Sequence, residues 1–297
     1  MLHALVLVAN DPAALQQARG RAELAVREAQ AVWKDFWPLG PAALQIGVVA
    51  REPERLKQAL VRRFGDLPVD FCLAPENGRR KKRLLVADMD STIIGVECLD
   101  ELADFAGVKA KVSAITERAM RGEVDFEDAL RERVAMLKSL PIAALQQCFD
   151  ERVRLNPGAR TLAQTMHTYG ARCALVSGGF DFFTSRVAQL AGFHAERANH
   201  LIVAGNKLTG AVAEPILGRE AKLAALQEEA AALEIDLDQT LAVGDGANDL
   251  VMLRAAGLGV AYRAKPVVAA EADARVEHTD LTALLYFQGY RAEEFRG

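Results

Sequence analysis

Short apolar runs alternate along the chain with longer stretches whose apolar residues recur every three or four positions, the signatures of strands and amphipathic helices in turn. The first third reads as strand HALVLVA, helix 12–30, a short strand around Val32–Trp37, strand LQIGVVA, helix 53–64 and strand VDFCLA. That βαββαβ order predicts a small α/β sandwich, although the stretch from Trp33 to Pro38 suits a regular strand poorly. Past a turn cluster, PENG, and a basic run, GRRKKR (78–83), four more strands follow: LLVAD (84–88), CALVSG (173–178), TLAVGD (240–245) and GLGVAY (257–262). Helical sequence separates them, which predicts an α/β fold built on a Rossmann-like, doubly wound parallel sheet. Three of the strands end in a polar or glycine-rich turn, and ligands in such sheets gather outside the carboxyl ends of the strands.

Two insertions interrupt this alternation. Residues 96–155 carry apolar spacing near 3.6 in LDELADFAG, SAITERAMRG and DFEDALRERVAMLKSLP, with Gly or Pro at the stops, so a helical cap over the strand ends is expected. NHLIVAGNKLTGAV (199–212) reads as a β-hairpin turning at Gly205-Asn206. Near the end, TDLTALLYFQGY reads as a native final helix, although LLYFQG resembles a protease-site scar.

Composition narrows the classes. About half of the 297 residues are apolar and the formal net charge is −4, which excludes disordered, collagenous and coiled-coil chains and disfavours a general nucleic-acid binder. The basic run has no interleaved aromatics, so it is expected to be a solvated linker rather than a nucleic-acid or membrane contact. Cys72, Cys98, Cys148 and Cys173 lie far apart without a CxxC pair, the pattern of buried reduced thiols, and no histidine sits at metal-ligand spacing. No apolar run is long enough to span a membrane, and the first residues lack a basic n-region and cleavage site. A cytoplasmic protein is expected.

The chemistry concentrates in the turns. In DMDST, Asp88 closes a strand and Asp90 follows two residues on. Two acids this close can share a hard divalent cation, leaving one carboxylate as nucleophile and the other as proton donor; a helix-capping turn or a sugar-nucleotide transferase site would carry the same pair. VSGGFD offers a hydroxyl and two glycines between strand and helix, a cradle for an anion or a plain βα turn. Lys222, in GREAKLAAL, is a surface lysine or a phosphate ligand. VGDGANDL adds Asp245, Asn248 and Asp249, either metal ligands or a capped glycine turn.

In this order (DxDxT, SGG, K, GDGxND) the segment 84–262 resembles the haloacid dehalogenase-like hydrolases. The resemblance implies that Asp88 attacks phosphorus to form an aspartyl-phosphate, while Asp90 protonates the leaving oxygen and then activates water. It implies that Ser177, Gly178 and Lys222 grip the phosphate. Mg²⁺ would be held by Asp88, Asp245 and the backbone carbonyl of Asp90, with Asp249 and Asn248 in support. Metal and lysine would balance the charge of a phosphate placed beside a carboxylate nucleophile.

Substrate choice falls to the cap. Phe126, Leu130, Arg133 and Leu137 share one helical face, and an arginine in that stripe either snorkels to solvent or clamps a carboxylate. Among Glu97, Asp100 and Glu101, the residues alone do not choose an ammonium ligand. DMDSTIIGVECLDELA, AMRGEVDFEDALRERV, LKSLP and VSGGF resemble the phosphoserine phosphatases. That resemblance assigns Glu97 to the amino group and Arg133 to the carboxylate, with Met120 and Phe126 covering the pocket and Gly179 and Asn248 as further substrate contacts. It implies Mg²⁺-dependent hydrolysis of O-phospho-L-serine, the last step of serine biosynthesis, by a catalytic domain at 79–297 whose cap spans about 96–155. Residues 1–78 would be a ferredoxin-like, ACT-like accessory domain. A phosphotransferase or phosphatase for another small ester, and an amino-acid-sensing regulator with a vestigial site, are the alternatives. The partner expected is a small molecule, with no nucleic acid or membrane, and a homodimer is left open.

Overall fold

The computed structural model describes residues 1–120 and 123–297. The N-terminal part comprises β1 (Leu2–Val8), α1 (Pro12–Glu28), β2 (Val32–Gly40), β3 (Ala43–Val49), α2 (Pro53–Phe64) and β4 (Asp70–Pro75). β5 (Leu84–Ala87) leads into the helices α3 (Cys98–Phe105), α4 (Lys109–Met120), α5 (Phe126–Ala135), α6 (Ala143–Arg152) and α7 (Ala159–Thr168). Then come β6 (Arg172–Phe180), α8 (Asp181–Ala191), β7 (Ala195–Asn199), the hairpin β8 (Leu201–Ala204) and β9 (Lys207–Val212), and α9 (Arg219–Ala232). β10 (Thr240–Gly244), α10 (Leu250–Ala255), β11 (Leu258–Tyr262), α11 (Pro266–Glu271), β12 (Ala274–Val276) and α12 (Ala283–Phe287) complete the order.

Among the described residues, ten strands form one sheet in the order β2-β3-β1-β4-β12-β11-β10-β5-β6-β7. From β12 to β7 every pair is parallel, and β5, β10 and β11 are buried on both faces, which is why they read as unbroken apolar runs. The N-terminal four strands are antiparallel, in ferredoxin-like order, with α1 and α2 on one face. Asp11 starts α1 by accepting the Ala13 N–H, and the buried face of that helix is alanine at 14, 18, 22 and 25, so it lies close to the sheet. The irregular content of β2 appears as breaks in register at Trp33/Phe36 and Pro38/Gly40.

The two halves of the sheet meet where β4 pairs antiparallel with β12 at Phe71 and Arg275. Beside that bridge the buried Asp70 carboxylate accepts the N–H groups of Glu277, His278 and Thr279 and the Thr279 hydroxyl. Neither β7 nor β12 is apparent in the sequence: AERAN carries adjacent charges that break alternation, and ARV alternates but is only three residues long.

Residues 78–83 are mostly exposed, as expected of a solvated segment, but the charges of Arg79, Arg80 and Lys81 are paired. Arg79 pairs with Asp236 and Asp238; Arg80 is nearly buried between Glu76, Gln45 and the Phe287 carbonyl. Lys81 binds Glu294 and lies over the rings of Tyr169 and Tyr290, 4.8 and 4.1 Å from their centroids. The run is a strap fastened to acids and aromatics distant in sequence. LLYFQG is equally structural: α12 is shorter than expected, but residues 283–287 and Tyr290 are all buried.

The helical insertion and the hairpin are joined. Backbone N–H groups of Ser139 and Ile142 donate to Leu208 and Asn206, Leu208 N–H donates to Leu140, and Arg131 pairs with Glu214. All four cysteines are buried and free, and no helix among the described residues is long and apolar enough to cross a membrane.

Candidate active site

Asp88 extends the β5 ladder by donating its N–H to the Val243 carbonyl at 3.0 Å, and so stands at the strand end, 5% exposed. The chain then turns sharply: Asp90 and Ser91 leave helical geometry, and Ser91 adopts φ +57°. Asn156, two residues before the Gly158 cap of α7, braces this turn by donating its side-chain N–H to the Thr92 carbonyl at 2.8 Å.

The two acids face opposite ways. Asp88 accepts from the Lys222 ammonium at 2.5 Å, and the same ammonium donates to Asp249 at 2.5 Å. Asp90 turns instead to the Cys98 N–H at 2.9 Å and the Ser177 hydroxyl at 3.1 Å, while Ser177 Oγ accepts the Gly179 N–H at 2.8 Å. A Cβ on Gly179 would come within 2.8 Å of Asp90 Oδ2, so the glycine is what lets the turn lie against this acid. Gly244 serves Asp249 in the same way, since a Cβ there would meet its carboxyl carbon at 2.3 Å.

Electrostatics separates the pair further. Burial pushes Asp90 up to about 7, helped by the charge of Glu97, and its hydrogen bonds only partly oppose this. Asp245 rises to about 6 through burial and the neighbouring Asp249. Asp88 is also raised by burial and by Asp249 and Asp90, against the opposing pull of Lys222, whose own ammonium is held charged by its two carboxylates.

Carboxylate oxygens of Asp88, Asp245 and Asp249 lie within 4.8 Å of one another, with Thr92 Oγ1 donating to Asp245 at 3.3 Å. Three carboxylates against one ammonium leave two negative charges in a buried space. A hard oxygen donor set with that surplus fits a divalent cation such as Mg²⁺. The Asp90 carboxylate stands outside this group.

A pH dependence follows. An acid whose pKa is raised by folding stabilises the fold fully below its unfolded pKa, and that contribution disappears as pH rises through the folded value. For Asp245 and Asp90 the loss runs from near pH 4 through about 6 and about 7. Added Mg²⁺ should therefore raise the melting temperature more at about pH 8 than at about pH 5. Thermal melts with EDTA or Mg²⁺ at both pH values check this; equal shifts would count against the cluster as a cation site.

The cap supplies the remaining groups. Glu97, before α3, accepts the Ser91 hydroxyl at 2.6 Å. Arg133 on α5 donates to the Ala129 carbonyl at 3.1 Å and to Thr116 Oγ1 at 3.4 Å; burial lowers its pKa, opposed by the nearby acids Asp100 and Glu97. Phe126 covers the glycines: a Cβ on Gly178 would lie 3.2 Å from its ring, and one on Gly218 3.6 Å. Asn248 is half-buried in the turn after β10 beside Gly246. Met120 ends α4, and its side chain lies outside the described residues. Ser91 and Asn156 were not singled out from sequence, where they look like ordinary turn residues, and Thr92 entered only as the last position of the DxDxT motif.

The family model of haloacid dehalogenase-like hydrolases matches residues 85–254. A phosphoserine phosphatase of Streptomyces coelicolor is 42% identical over 253 residues, 85% of this chain and 62% of its own length. One from Streptococcus thermophilus is 46% identical over 200 residues, 67% of this chain and 93% of its own. In structure, a haloacid dehalogenase family hydrolase from Salmonella enterica serovar Typhi superposes with a TM-score of 0.84 at 29% identity, covering 96% of this chain and 98% of that one. With acids, lysine and glycine turns assembled at the strand ends as the motif order requires, the chain belongs to the haloacid dehalogenase-like hydrolases, and within them to the phosphoserine phosphatase family of phosphoric monoester hydrolases.

Proposed function

We propose that the protein hydrolyses O-phospho-L-serine to L-serine and phosphate, the last step of serine biosynthesis. The observation that carries this reading is the unequal setting of two acids one residue apart, one held by Lys222 and the other buried near neutrality. Asp88 attacks phosphorus, forming an acyl-phosphate bond as the bond to the serine oxygen breaks, and Asp90 gives its proton to that oxygen. Asp90 then takes a proton from the water that attacks the phosphoaspartate, releasing phosphate and restoring Asp88. Ser177, the glycine turn and Lys222 hold the phosphate oxygens. Mg²⁺ held by Asp88, Asp245 and the Asp90 carbonyl, with Asp249 and Asn248 in support, would withdraw charge from those oxygens.

The substrate rests on Glu97 for the ammonium and Arg133 for the carboxylate, beneath Phe126 and Met120. Residues 1–78 form the accessory domain and 79–297 the catalytic one, with its cap at about 96–155. An N-terminal apolar cluster confined to residues 5–71 and a family match beginning at 85 support that division. Four buried free thiols suit a cytoplasmic setting.

Phosphate release should be measured over a panel of small phosphomonoesters with Mg²⁺, with and without acceptor alcohols. Phosphoserine should be preferred; preferential transfer to an alcohol would overturn the hydrolytic reading. Arg133→Ala should lower kcat/KM for phosphoserine about 10- to 100-fold, the worth of a lost charged hydrogen bond. Loss with p-nitrophenyl phosphate, which has no carboxylate, should stay within about three-fold. Equal losses would remove Arg133 from substrate recognition.

A further inference from the structure

The turn that carries Ser177, Gly178 and Gly179 is a fault in the sheet. β6 and β7 pair in register up to Val176 and Arg197 and resume at Phe180 and Asn199, so residues 177–179 face only Ala198. A bulge of this kind re-aims backbone groups but leaves ladder partners unpaired. Asn199 fills that gap with its side chain. It is 2% exposed, and its amide donates to the Gly178 carbonyl at 2.9 Å.

The rest of the same amide clasps a second segment. Asn199 Nδ2 also lies 3.4 Å from the Leu217 carbonyl, and its Oδ1 accepts the Leu217 N–H at 2.7 Å. Leu217 precedes Gly218, the N-cap of α9, and Lys222 stands in the first turns of that helix. One buried side chain thus joins the turn bearing Ser177 to the lead-in of the helix bearing Lys222. Phe126 covers Gly178 and Gly218, one glycine from each of the two joined segments. Both donors and the acceptor of an asparagine are used, so no other side chain of this size serves: aspartate lacks the donors, leucine lacks everything, and serine is too short.

We propose that Asn199 is a positioning residue that sets the separation of the two halves of the phosphate grip, Ser177 with its glycines on one side and Lys222 on the other. The proposal rests on the phosphatase reading of the site and not on the identity of the ester.

The test uses full-length Asn199→Leu and Asn199→Asp, with inorganic phosphate as competitive inhibitor and both phosphoserine and p-nitrophenyl phosphate as substrates. Both variants should weaken phosphate inhibition and lower kcat/KM for both esters by about 10- to 100-fold, the scale of a small misplacement of reacting groups. The ratio between the esters should stay within about three-fold of wild type. A variant folded by circular dichroism with an unchanged inhibition constant would overturn the proposal, because a purely structural tie alters stability alone. A loss confined to phosphoserine would overturn it too, placing Asn199 in recognition of the amino acid. If wild type does not hydrolyse phosphoserine, the substrate assignment fails alone, since phosphate and the aryl ester still report on Asn199. Should neither variant fold, hydrogen exchange on wild type decides. The Leu217 N–H should exchange about ten-fold more slowly once phosphate draws the two halves together, and an unchanged rate would overturn the link.

Discussion

Asp88→Asn is expected to abolish turnover, by about four orders of magnitude or more, while leaving the protein at least as stable as wild type. The activity loss follows from chemistry: an amide oxygen is a poor nucleophile and cannot form the acyl-phosphate through which the proposed reaction passes. The stability expectation follows from burial. Asp88 is raised by burial and by Asp249 and Asp90, so in metal-free protein near neutral pH its charge is a strain on the fold. Asparagine keeps an acceptor for the Lys222 ammonium, which retains Asp249. Single-turnover assays with phosphoserine and urea melts in EDTA measure the two halves. Turnover near wild type would sink the nucleophile assignment, and a large drop in stability would mean that the Asp88–Lys222 pair holds the fold rather than the reaction.

Removing the lysine should do the opposite to stability. Lys222 is 2% exposed and is shared by two carboxylates, one of them fully buried. In Lys222→Met both acids lose their buried counter-charge, and breaking a buried pair from one side costs about 3–5 kcal/mol. Activity should disappear with it, since the phosphate grip loses its cation. Asp249→Asn in the same chain should return a good part of the stability and none of the activity, a coupling that a double-mutant cycle in denaturant measures. Mg²⁺ should narrow the stability gap in the single variant. If Lys222→Met melts with wild type in EDTA, the carboxylates are already protonated and the charge argument fails.

Much of this site is written into local sequence, for a physical reason. In a parallel sheet an acid that follows an unbroken apolar run stands at a strand end, so Asp88 and Asp245 could be placed from spacing alone. The helical insertion and the hairpin were legible from period and turn chemistry. Residues whose partners lie far along the chain were not. The partners of the run at 78–83 were hidden because Asp236, Asp238, Glu294, Tyr169 and Tyr290 approach it only after folding. β7 was hidden by its adjacent charges and β12 by its length of three residues. Asn199 ends one of those hidden strands and looked like any polar residue before a hairpin. Its meaning depends on a bulge in the neighbouring strand, which no local pattern reports.

The single apolar cluster shared by β1, β4 and α12 also sets an order in time. Val6, Val8 and Cys72 belong to the same buried cluster as Leu284, Tyr286 and Phe287, and α12 contacts both β1 and β4. While the chain is being synthesised, α1 and α2 can cover one face of the N-terminal strands at once, since they lie between them. The opposite face has nothing of its own to lie on and stays wet until residues 283–287 have left the ribosome. Closing so long a loop is entropically slow, and apolar strands left open meanwhile are the species most prone to stick to one another. The half that is made first is therefore finished last, and a chaperone that shields β1 and β4 during that interval would act where this chain is most exposed to misassembly.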